Sequence, residues 1–392
     1  MICRRINSLV FHTKALLNYL VARCVVFFIP IRRNKFFCIS MTGNSYGDSI
    51  KCLSDYVVKQ NVNAEIVWAF TSNYFKIVNC EHKKVVFYSY LYYYHILTSR
   101  FIISNVSLDK KMLIKRRGQI CVQTWHGTAL KRIGTDMYPN NVSSFKRLLG
   151  GGNITKYNAR LTDLLISGSR FMTEIYHTKC LYPLDIIHEI GTPRNDVFFH
   201  DTSSIKQRVY AHYGIDNKKK VLLYAPTFRK GESLDYYDVD LERIKTLLEK
   251  KEECEYIVMV RLHPNLIKKE KMFVAMFPQS TINVSSYPDM IDLLCSADVL
   301  VTDYSSCMFD YMYSYKPIIL YVPDRSTYDR GFYLDIDKLP FVVINSNKEI
   351  ENKVSSFNNE LYIEKINEFL LNIGSKESGN ATECLYDLLT SY

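Results

Sequence analysis

The sequence predicts an α/β protein built from two Rossmann-type domains, and three observations lead to this class. The chain has 392 residues, of which 47% are hydrophobic, so it is long enough for two separate cores. Short apolar runs of strand length alternate with helical patterns, which is typical of parallel sheets covered on both faces. Several of these runs end on histidine, arginine or hydroxyl side chains, and the active groups of open α/β sheets gather at that edge.

Residues 1–34 form a separate apolar and basic segment. The stretch 9–31 is mostly apolar and is flanked by pairs of arginines, and no small-residue cleavage site follows it, which argues against a signal peptide. A spanning helix would place Arg23 near its centre at a cost of about 2.5–3.5 kcal/mol. The pattern favours a helix lying in the plane of the membrane surface; packing of this helix on its own domain is the alternative.

Residues 35–192 are predicted to form the first domain. Strands are predicted at 36–40, 65–70, 84–88, 101–104, 120–125, 163–167 and 186–190, with helices at 49–60, 89–99 and 169–178. Residues 138–157 contain three consecutive glycines and are predicted to be a mobile loop. The turn at Gly43 and Gly47 does not match Gly-x-Gly-x-x-Gly, so no dinucleotide cofactor is predicted.

The second domain is predicted at 193–347, after a Gly and Pro turn typical of a domain hinge. Strands are predicted at 221–224, 256–260, 281–284, 299–301, 318–322 and 341–344, with helices at 238–250 and 286–295 and a further one that includes residues 308–312. Arg194, within the hinge, is interpreted as a salt-bridge residue in preference to a phosphate contact. Residues 348–392 are helical and are expected to cross back to the first domain.

Strand ends of the second domain carry groups suited to a pyrophosphate. Arg229, His263 and the pair Ser305 and Ser306 each follow a predicted strand. Arginine binds phosphate oxygens bidentately, and serine hydroxyls and backbone N–H groups donate the remaining hydrogen bonds. The run 302–306 would supply N-cap side chains and an anion site before a helix; an ordinary capped turn is the alternative.

The first domain offers His126 as its candidate catalytic residue. The predicted strand at 120–125 places it at the carboxyl edge, and Gly127 allows a ligand to approach the backbone closely. A neutral imidazole is well matched to taking a proton near pH 7. Lys131 and Asp136 follow closely and add charge near it. A purely structural histidine is the alternative.

Several motifs together resemble the CDP-glycerol glycerophosphotransferase family of teichoic-acid and capsule polymer synthesis. They are Gln-Thr-Trp-His-Gly-Thr at 123–128, Gly-Thr-Pro-Arg-Asn-Asp at 191–196, Tyr-Ala-Pro-Thr-Phe-Arg at 224–229, Arg-Leu-His-Pro at 261–264, Thr-Asp-Tyr-Ser-Ser at 302–306 and Arg-Gly-Phe-Tyr at 330–333. The resemblance implies a GT-B-like fold with a cleft between two domains, the donor nucleotide on the second and the acceptor on the first. It also implies transfer of glycerol phosphate, or another polyol phosphate such as ribitol phosphate, from a CDP-activated donor to an acceptor hydroxyl, with release of CMP.

The same resemblance assigns roles to individual residues. His126 would be the base, and His263 would stabilise the departing CMP phosphate. The donor-binding residues would be Pro226, Thr227, Arg229, Arg261, Thr302, Asp303, Ser305 and Ser306, and further site positions would be Gly127, Lys131, Asp136, Arg194 and Arg330. The acceptor would be a polysaccharide or a polyprenyl-linked glycan. A nucleotide-sugar glycosyltransferase of the same fold is the alternative enzyme.

The net charge and the cysteine pattern limit which binding partners and which kinds of site are expected. The net charge of +10 suits an anionic membrane surface, a polyanion or a nucleotide. No Lys/Arg-rich helix and no zinc-finger spacing is present, so a nucleic-acid partner is not expected. The 11 cysteines are scattered without a C-x-x-C pair, which predicts neither a metal site nor a disulfide framework. We therefore expect a peripheral protein at the cytoplasmic face of the cell membrane.

Overall fold

The chain folds into two compact units. The computed structural model describes residues 2–61, 63–108, 115–137, 152–229, 235–263, 276–277, 280–328 and 331–392. Unit 1 comprises Met1–His126, Gly134–Arg194 and Lys376–Tyr392, and unit 2 comprises Gly127–Ile133 and Asn195–Ser375. These units differ from the predicted boundaries, because a short segment after His126 lies in unit 2 and only the last part of the C-terminal region lies in unit 1. The predicted cleft stays a prediction.

Unit 1 has a sheet of seven parallel strands. In spatial order they are β3 (Lys83–Val86), β2 (Glu65–Phe70), β1 (Arg32–Ile39), β4 (Ser99–Ser104), β5 (Ile120–Gln123), β6 (Leu164–Ser167) and β7 (Ile187–Glu189). Successive side chains of a strand point to opposite faces. Phe37 and Ile39 of β1 therefore enter one hydrophobic core, and Phe36 and Cys38 enter the other. Both faces of the sheet are buried, as parallel sheets require.

The helices of unit 1 cover these two faces. In the part of the chain that the structure describes, they are α1 (Ile2–Val26), α2 (Asp48–Gln60), α3 (Ser72–Ile77), α4 (Tyr90–Thr98), α5 (Gly152–Leu161), α6 (Arg170–Thr178) and, near the C-terminus, α13 (Ala381–Thr390). Helix α1 packs on α4, and α2 packs on α13. Leu385 and Leu389 of α13 are buried in the core that contains Phe36.

Helix α1 packs on its own unit through one face. Ala15, Ala22 and Val26 are buried, and Asn18 Nδ2 donates a 3.0 Å hydrogen bond to the carbonyl oxygen of Tyr88. Within the ranges given above, no helix combines the length and the apolar character needed to cross a membrane.

Unit 2 has a second parallel sheet, of six strands. In spatial order they are β10 (Ile282–Asn283), β9 (Tyr256–Val260), β8 (Lys220–Tyr224), β11 (Val299–Thr302), β12 (Ile318–Tyr321) and β13 (Val342–Ile344). The helices found among the described residues of this unit are α7 (Ser203–Tyr213), α8 (Leu241–Glu252), α9 (Met290–Ser296), α10 (Cys307–Tyr311), α11 (Ile350–Ser355) and α12 (Asn359–Asn372). The predicted alternation of strands and helices and the parallel sheets are confirmed.

Some helices differ from the prediction. Helices α3, α5 and α7 were not predicted, and α5 overturns the predicted mobile loop for residues 152–157, whereas 138–151 lie outside the described residues. Helix α9 begins at Met290 and not at 286, because Asp289 is its N-cap and accepts a 3.0 Å hydrogen bond from the backbone N–H of Ile291.

A buried ion network joins three strand ends of unit 2. Arg229, after β8, places Nε 2.6 Å from Asp324 Oδ2 and Nη1 2.9 Å from Asp303 Oδ2. Asp303, after β11, accepts a 3.0 Å bond from the backbone N–H of Thr227, and Asp324, after β12, accepts a 3.1 Å bond from the Tyr304 hydroxyl. Burial alone would lower the pKa of Arg229, but the two aspartates outweigh it and raise this pKa above its ordinary value. The network therefore fixes these loops through charge-assisted hydrogen bonds.

We expect Arg229→Met to destabilise unit 2 by about 3–5 kcal/mol, because two carboxylates stay buried without their counter-charge. The matched control is Arg243→Met. Arg243 pairs with Glu351 at 2.6 Å, but the side chains are 41% and 66% exposed, and such pairs contribute about 0.2–1 kcal/mol. Urea unfolding followed by far-UV circular dichroism measures the difference, since both tryptophans, Trp68 and Trp125, lie in unit 1. Equal unfolding midpoints for the two variants would contradict the stabilising role of the network.

Candidate active site

Strand β5 delivers His126 to the carboxyl edge of the sheet of unit 1. The strand ends at Gln123, whose Oε1 accepts a 2.8 Å hydrogen bond from the backbone N–H of Trp125. Trp125 has a φ of 57°, a left-handed conformation that is uncommon for a bulky residue. Its ring stacks on that of His126, with 5.3 Å between centroids and 15° between planes. His126 is exposed at this edge.

The imidazole of His126 is oriented by a backbone group. His126 Nδ1 lies 2.7 Å from the carbonyl oxygen of Asn105. A carbonyl oxygen only accepts hydrogen bonds, so Nδ1 carries the proton and donates it. The lone pair of the neutral ring is then on Nε2, which is the form that takes a proton from a hydroxyl group.

The residues directly after His126 belong to the other unit. Gly127 has a φ of 150° and opens the segment Gly127–Ile133 of unit 2. Within that unit, Lys131 forms an isolated antiparallel bridge with Phe332. Lys131 is therefore positioned by unit 2, although it follows the candidate base closely in sequence.

Two other predicted site positions form ion pairs within unit 1. Asp136 Oδ2 lies 3.5 Å from Lys179 Nζ. Arg194 Nη1 lies 3.0 Å from Asp48 Oδ1, and these two side chains are 6% and 12% exposed. Arg194 thus makes an intramolecular salt bridge, which is the interpretation that the sequence favoured over a phosphate contact. Arg330 lies outside the described residues.

Three neighbouring strands of unit 2 end on predicted donor-site groups. Strands β9, β8 and β11 are adjacent in the sheet, and they are followed by His263, Arg229 and the pair Ser305 and Ser306. The expectation that these groups share one sheet edge is confirmed by this strand order. The ring of His263 lies 6.1 Å from that of Phe228, centroid to centroid.

The guanidinium group of Arg229 is not oriented toward a phosphate ligand, because its nitrogens donate to protein acceptors. Its Nε and Nη2 donate to Asp324, and its Nη1 donates to Asp303 and to the hydroxyl and carbonyl oxygens of Thr227. The side chain is 7% exposed. The direct bidentate contact expected from the sequence is incompatible with this arrangement, because protein acceptors already fill the fork. Arg229 instead holds the loops around the edge.

Other predicted donor-binding residues are also engaged inside unit 2. The hydroxyl of Thr302 donates a 2.6 Å hydrogen bond to the carbonyl oxygen of Ala225. Arg261 Nη1 donates a 2.8 Å bond to the carbonyl oxygen of Tyr287. The buried members of the predicted set are Pro226, Thr227, Arg229, Thr302 and Asp303. Thr227, Arg229, Thr302 and Asp303 form hydrogen bonds with other groups of unit 2.

Ser305 and Ser306 are partly exposed at the end of β11. The predicted capping role is wrong for Ser306, because its backbone is already helical and its side chain makes no capping hydrogen bond to the short helix α10. The hydroxyl oxygen of Ser305 lies 3.5 Å from the backbone nitrogen of Cys307, at the outer limit for a hydrogen bond. Both residues are therefore partly accessible at this edge.

The environment of His263 keeps its ring neutral near pH 7. Desolvation of the ring by the surrounding protein atoms is the largest effect that lowers the pKa of His263, and the positive charge of Lys131 acts in the same direction. Asp303 acts the opposite way but does not reverse the shift. A neutral imidazole at this edge has one N–H that can donate to a phosphate oxygen.

Sequence reasoning did not identify Asn105 or Asp324. Asn105 directly follows the last residue of β4, and Asp324 follows β12 by a short turn. Both satisfy the rule, applied above to β5 and β11, that polar residues after a parallel strand gather at the active edge. Applying this rule to every predicted strand would have found them.

The fold is shared with a solved enzyme. A structure of the wall teichoic acid polymerase TagF, soaked with CDPG, superposes with a TM-score of 0.82 at 26% identity, covering 99% of this chain and 95% of that chain. The protein is therefore α/β and GT-B-like, with two parallel sheets.

Sequence comparison gives the same relationship. The teichoic acid poly(glycerol phosphate) polymerase of Staphylococcus epidermidis is 30% identical over 369 residues, which are 89% of this chain and 49% of that protein, so the chain spans about half of this relative. The teichoic acid glycerol-phosphate transferase of Staphylococcus aureus is 29% identical over 374 residues, 90% of this chain and 91% of that protein. The family model described as CDP-Glycerol:Poly(glycerophosphate) glycerophosphotransferase matches residues 21–391. The chain belongs to this family of transferases.

Proposed function

We propose that this protein transfers glycerol phosphate from CDP-glycerol to a hydroxyl group of a glycan or lipid-linked acceptor and releases CMP. The observation that carries the proposal is the oriented imidazole of His126, whose Nδ1 is bound by the Asn105 carbonyl oxygen at 2.7 Å. Nε2 then accepts the proton of the attacking hydroxyl group. Family membership supports the donor class, and a relative was soaked with CDPG.

The donor phosphates are proposed to bind at the edge formed by β9, β8 and β11. His263, Ser305 and Ser306 supply neutral hydrogen-bond donors, and Lys131 supplies positive charge beside His263. Phosphoryl transfer requires positioning and neutralisation of charge on the leaving group more than covalent help from the protein. Arg229 contributes indirectly, because its ion pair with Asp303 holds the loop that carries Ser305 and Ser306.

We expect His126→Ala to lower kcat about 10²–10⁴-fold, the usual contribution of general-base catalysis, with nearly unchanged affinity for CDP-glycerol. The matched variant is His263→Ala, which removes a proposed phosphate donor and should weaken CDP-glycerol binding. Release of CMP gives kcat, and calorimetry gives the Kd. CDP-ribitol and a UDP-sugar are tested in parallel. Full activity of His126→Ala would remove the proposed base, and turnover of the UDP-sugar alone would favour the glycosyltransferase alternative.

Lys131 is expected to tune the proton affinity of His263. Replacing Lys131 with Met removes a positive charge that disfavours the imidazolium, so the pKa of His263 should rise, whereas Lys131→Arg keeps the charge and should leave this pKa nearly unchanged. An NMR titration of the histidine ring protons, with the His263 signal assigned from His263→Ala, measures the pKa. A fall in the pKa of His263 in Lys131→Met would contradict this placement.

We also propose that helix α1 holds the protein at the cytoplasmic face of the cell membrane. The face opposite its packed side exposes an apolar stripe in which Leu16, Leu17 and Leu20 are 58%, 60% and 51% exposed, followed by Phe27 and Phe28 at 80% and 85%. Such a stripe can enter the interface of a bilayer while nearby cations contact lipid phosphates.

Replacing Leu16, Leu17 and Leu20 together with Gln should weaken binding to phosphatidylglycerol-containing vesicles at least about tenfold, since each buried leucine contributes roughly 1.5–3 kcal/mol. The control replaces Leu361 and Leu371, exposed leucines of α12, with Gln. Vesicle co-sedimentation measures the partition coefficient. Equal binding by both variants would exclude this surface of α1 as the membrane contact.

A further inference from the structure

We propose that Asn105 is a positioning residue for His126, and that Asp48 and Arg194 hold Asn105 in place. The inference rests on the proposed function, because it concerns the residue assigned as base. It adds to the site the loop after β1, which carries Asp48, and the loop after β7, which carries Arg194. The three residues act through one backbone carbonyl oxygen.

Contacts within unit 1 orient the ring of His126. Unit 1 is interrupted directly after His126 and resumes only at Gly134. Stacking on Trp125 fixes the ring plane, but it does not choose between the two ring tautomers. The hydrogen bond to the Asn105 carbonyl oxygen makes that choice.

Asn105 is fully buried, and its side chain is bonded at both ends. Its Nδ2 donates to Asp48 Oδ2 at 2.8 Å and to Ser40 Oγ at 3.2 Å, and its Oδ1 accepts from the backbone N–H of Met41 at 2.9 Å. These bonds tie the residue after β4 to the loop after β1. The position of the Asn105 carbonyl oxygen is thereby fixed relative to the sheet, because the side-chain bonds hold its own backbone.

Asp48 is in turn held by Arg194. Its Oδ1 accepts from Arg194 Nη1 at 3.0 Å and from the backbone N–H of Ser49 at 2.6 Å. Burial acts to raise the pKa of Asp48, but Arg194, Ser49 and Asn105 outweigh it, so the pKa is lowered and the carboxylate stays charged. A charged Asp48 accepts from Asn105 Nδ2 and thereby fixes the orientation of this amide.

The loop after β1 also contains strained backbone conformations. Met41, Thr42 and Asp48 have φ values of 44°, 54° and 67°. Such conformations cost of order 1–3 kcal/mol each for residues other than glycine, and they persist where surrounding contacts determine them. The bonds from Asn105 to Met41 and Asp48 are contacts of this kind. The strained loop is therefore held where it supports the residue that orients His126.

The test compares Asn105→Ala, His126→Ala and the double variant. Asn105→Ala should lower kcat about 10–100-fold, the usual effect of removing a group that orients a functional histidine, with the KM for CDP-glycerol within about twofold. In the His126→Ala background the same change should cost nothing further, because its effect passes through the imidazole. The assay supplies CDP-glycerol and a lipid-linked glycan acceptor and measures CMP.

Asn158→Ala is the matched control, because Asn158 is also a buried asparagine of unit 1 with two side-chain hydrogen bonds, to Leu108 and Ile154. This variant should lose stability yet keep kcat within about twofold. An unchanged kcat in Asn105→Ala, or a loss that adds to that of His126→Ala, would overturn the positioning role while leaving the base assignment intact. Full activity of His126→Ala would instead overturn the proposed function.

If Asn105→Ala does not fold, a measurement on the unaltered protein tests whether the Asn105 carbonyl oxygen orients His126. The ¹⁵N chemical shifts of a histidine ring distinguish the two neutral tautomers, and the His126 signals can be assigned by their loss in His126→Ala. We expect the Nδ1–H tautomer in the neutral ring. Observation of the Nε2–H tautomer would show that the Asn105 carbonyl oxygen does not orient His126.

Discussion

Each unit keeps a buried arginine at the carboxyl edge of its sheet, and the pairing of these charges determines the shape of both edges. A buried arginine is tolerated only where carboxylates and hydrogen bonds compensate for the water it has lost. Arg194 meets this requirement through Asp48, and Arg229 meets it through Asp303 and Asp324. The loops that supply the partners cannot move apart without exposing or isolating a charge. Ser305 and Ser306 directly follow Asp303 and Tyr304 on one of these loops and are partly exposed.

The sequence predicts the sheets well because strand periodicity is a local property. Strand β9, at Tyr256–Val260, and β2, at Glu65–Phe70, have the predicted bounds, and the alternation along the chain gives their parallel pairing. Helix α7 escapes prediction because its apolar face is narrow, with only Val209 and Tyr210 buried. Helix α5 escapes because the glycines that precede it indicate a loop, although its own residues form a regular helix.

The site is predicted less well than the fold, because the role of a charged side chain depends on partners that are distant in sequence. Arg229 has the same local pattern whether it binds a phosphate or a carboxylate. The partner that decides, Asp324, lies 95 residues away. Likewise, nothing near Asn105 in the sequence indicates that its carbonyl oxygen meets His126. A position directly after a strand identifies candidate site residues. Only their partners in three dimensions distinguish residues that bind a ligand from residues that hold a loop in place.

The choice of a carbonyl oxygen to orient the proposed base fits the chemistry of phosphoryl transfer. A carboxylate at this position would stabilise the imidazolium strongly, as it does in triads that activate a serine for attack on carbon. A carbonyl oxygen fixes the tautomer with only a partial charge. The nearby carboxylate of Asp48 accepts a hydrogen bond from Asn105 Nδ2 and is paired with Arg194, which compensates its charge. Attack on phosphorus through a loose transition state needs the hydroxyl positioned in line, and a base held in a fixed orientation can accept its proton as the new bond forms. A weakly polarised and firmly oriented histidine is sufficient for that step.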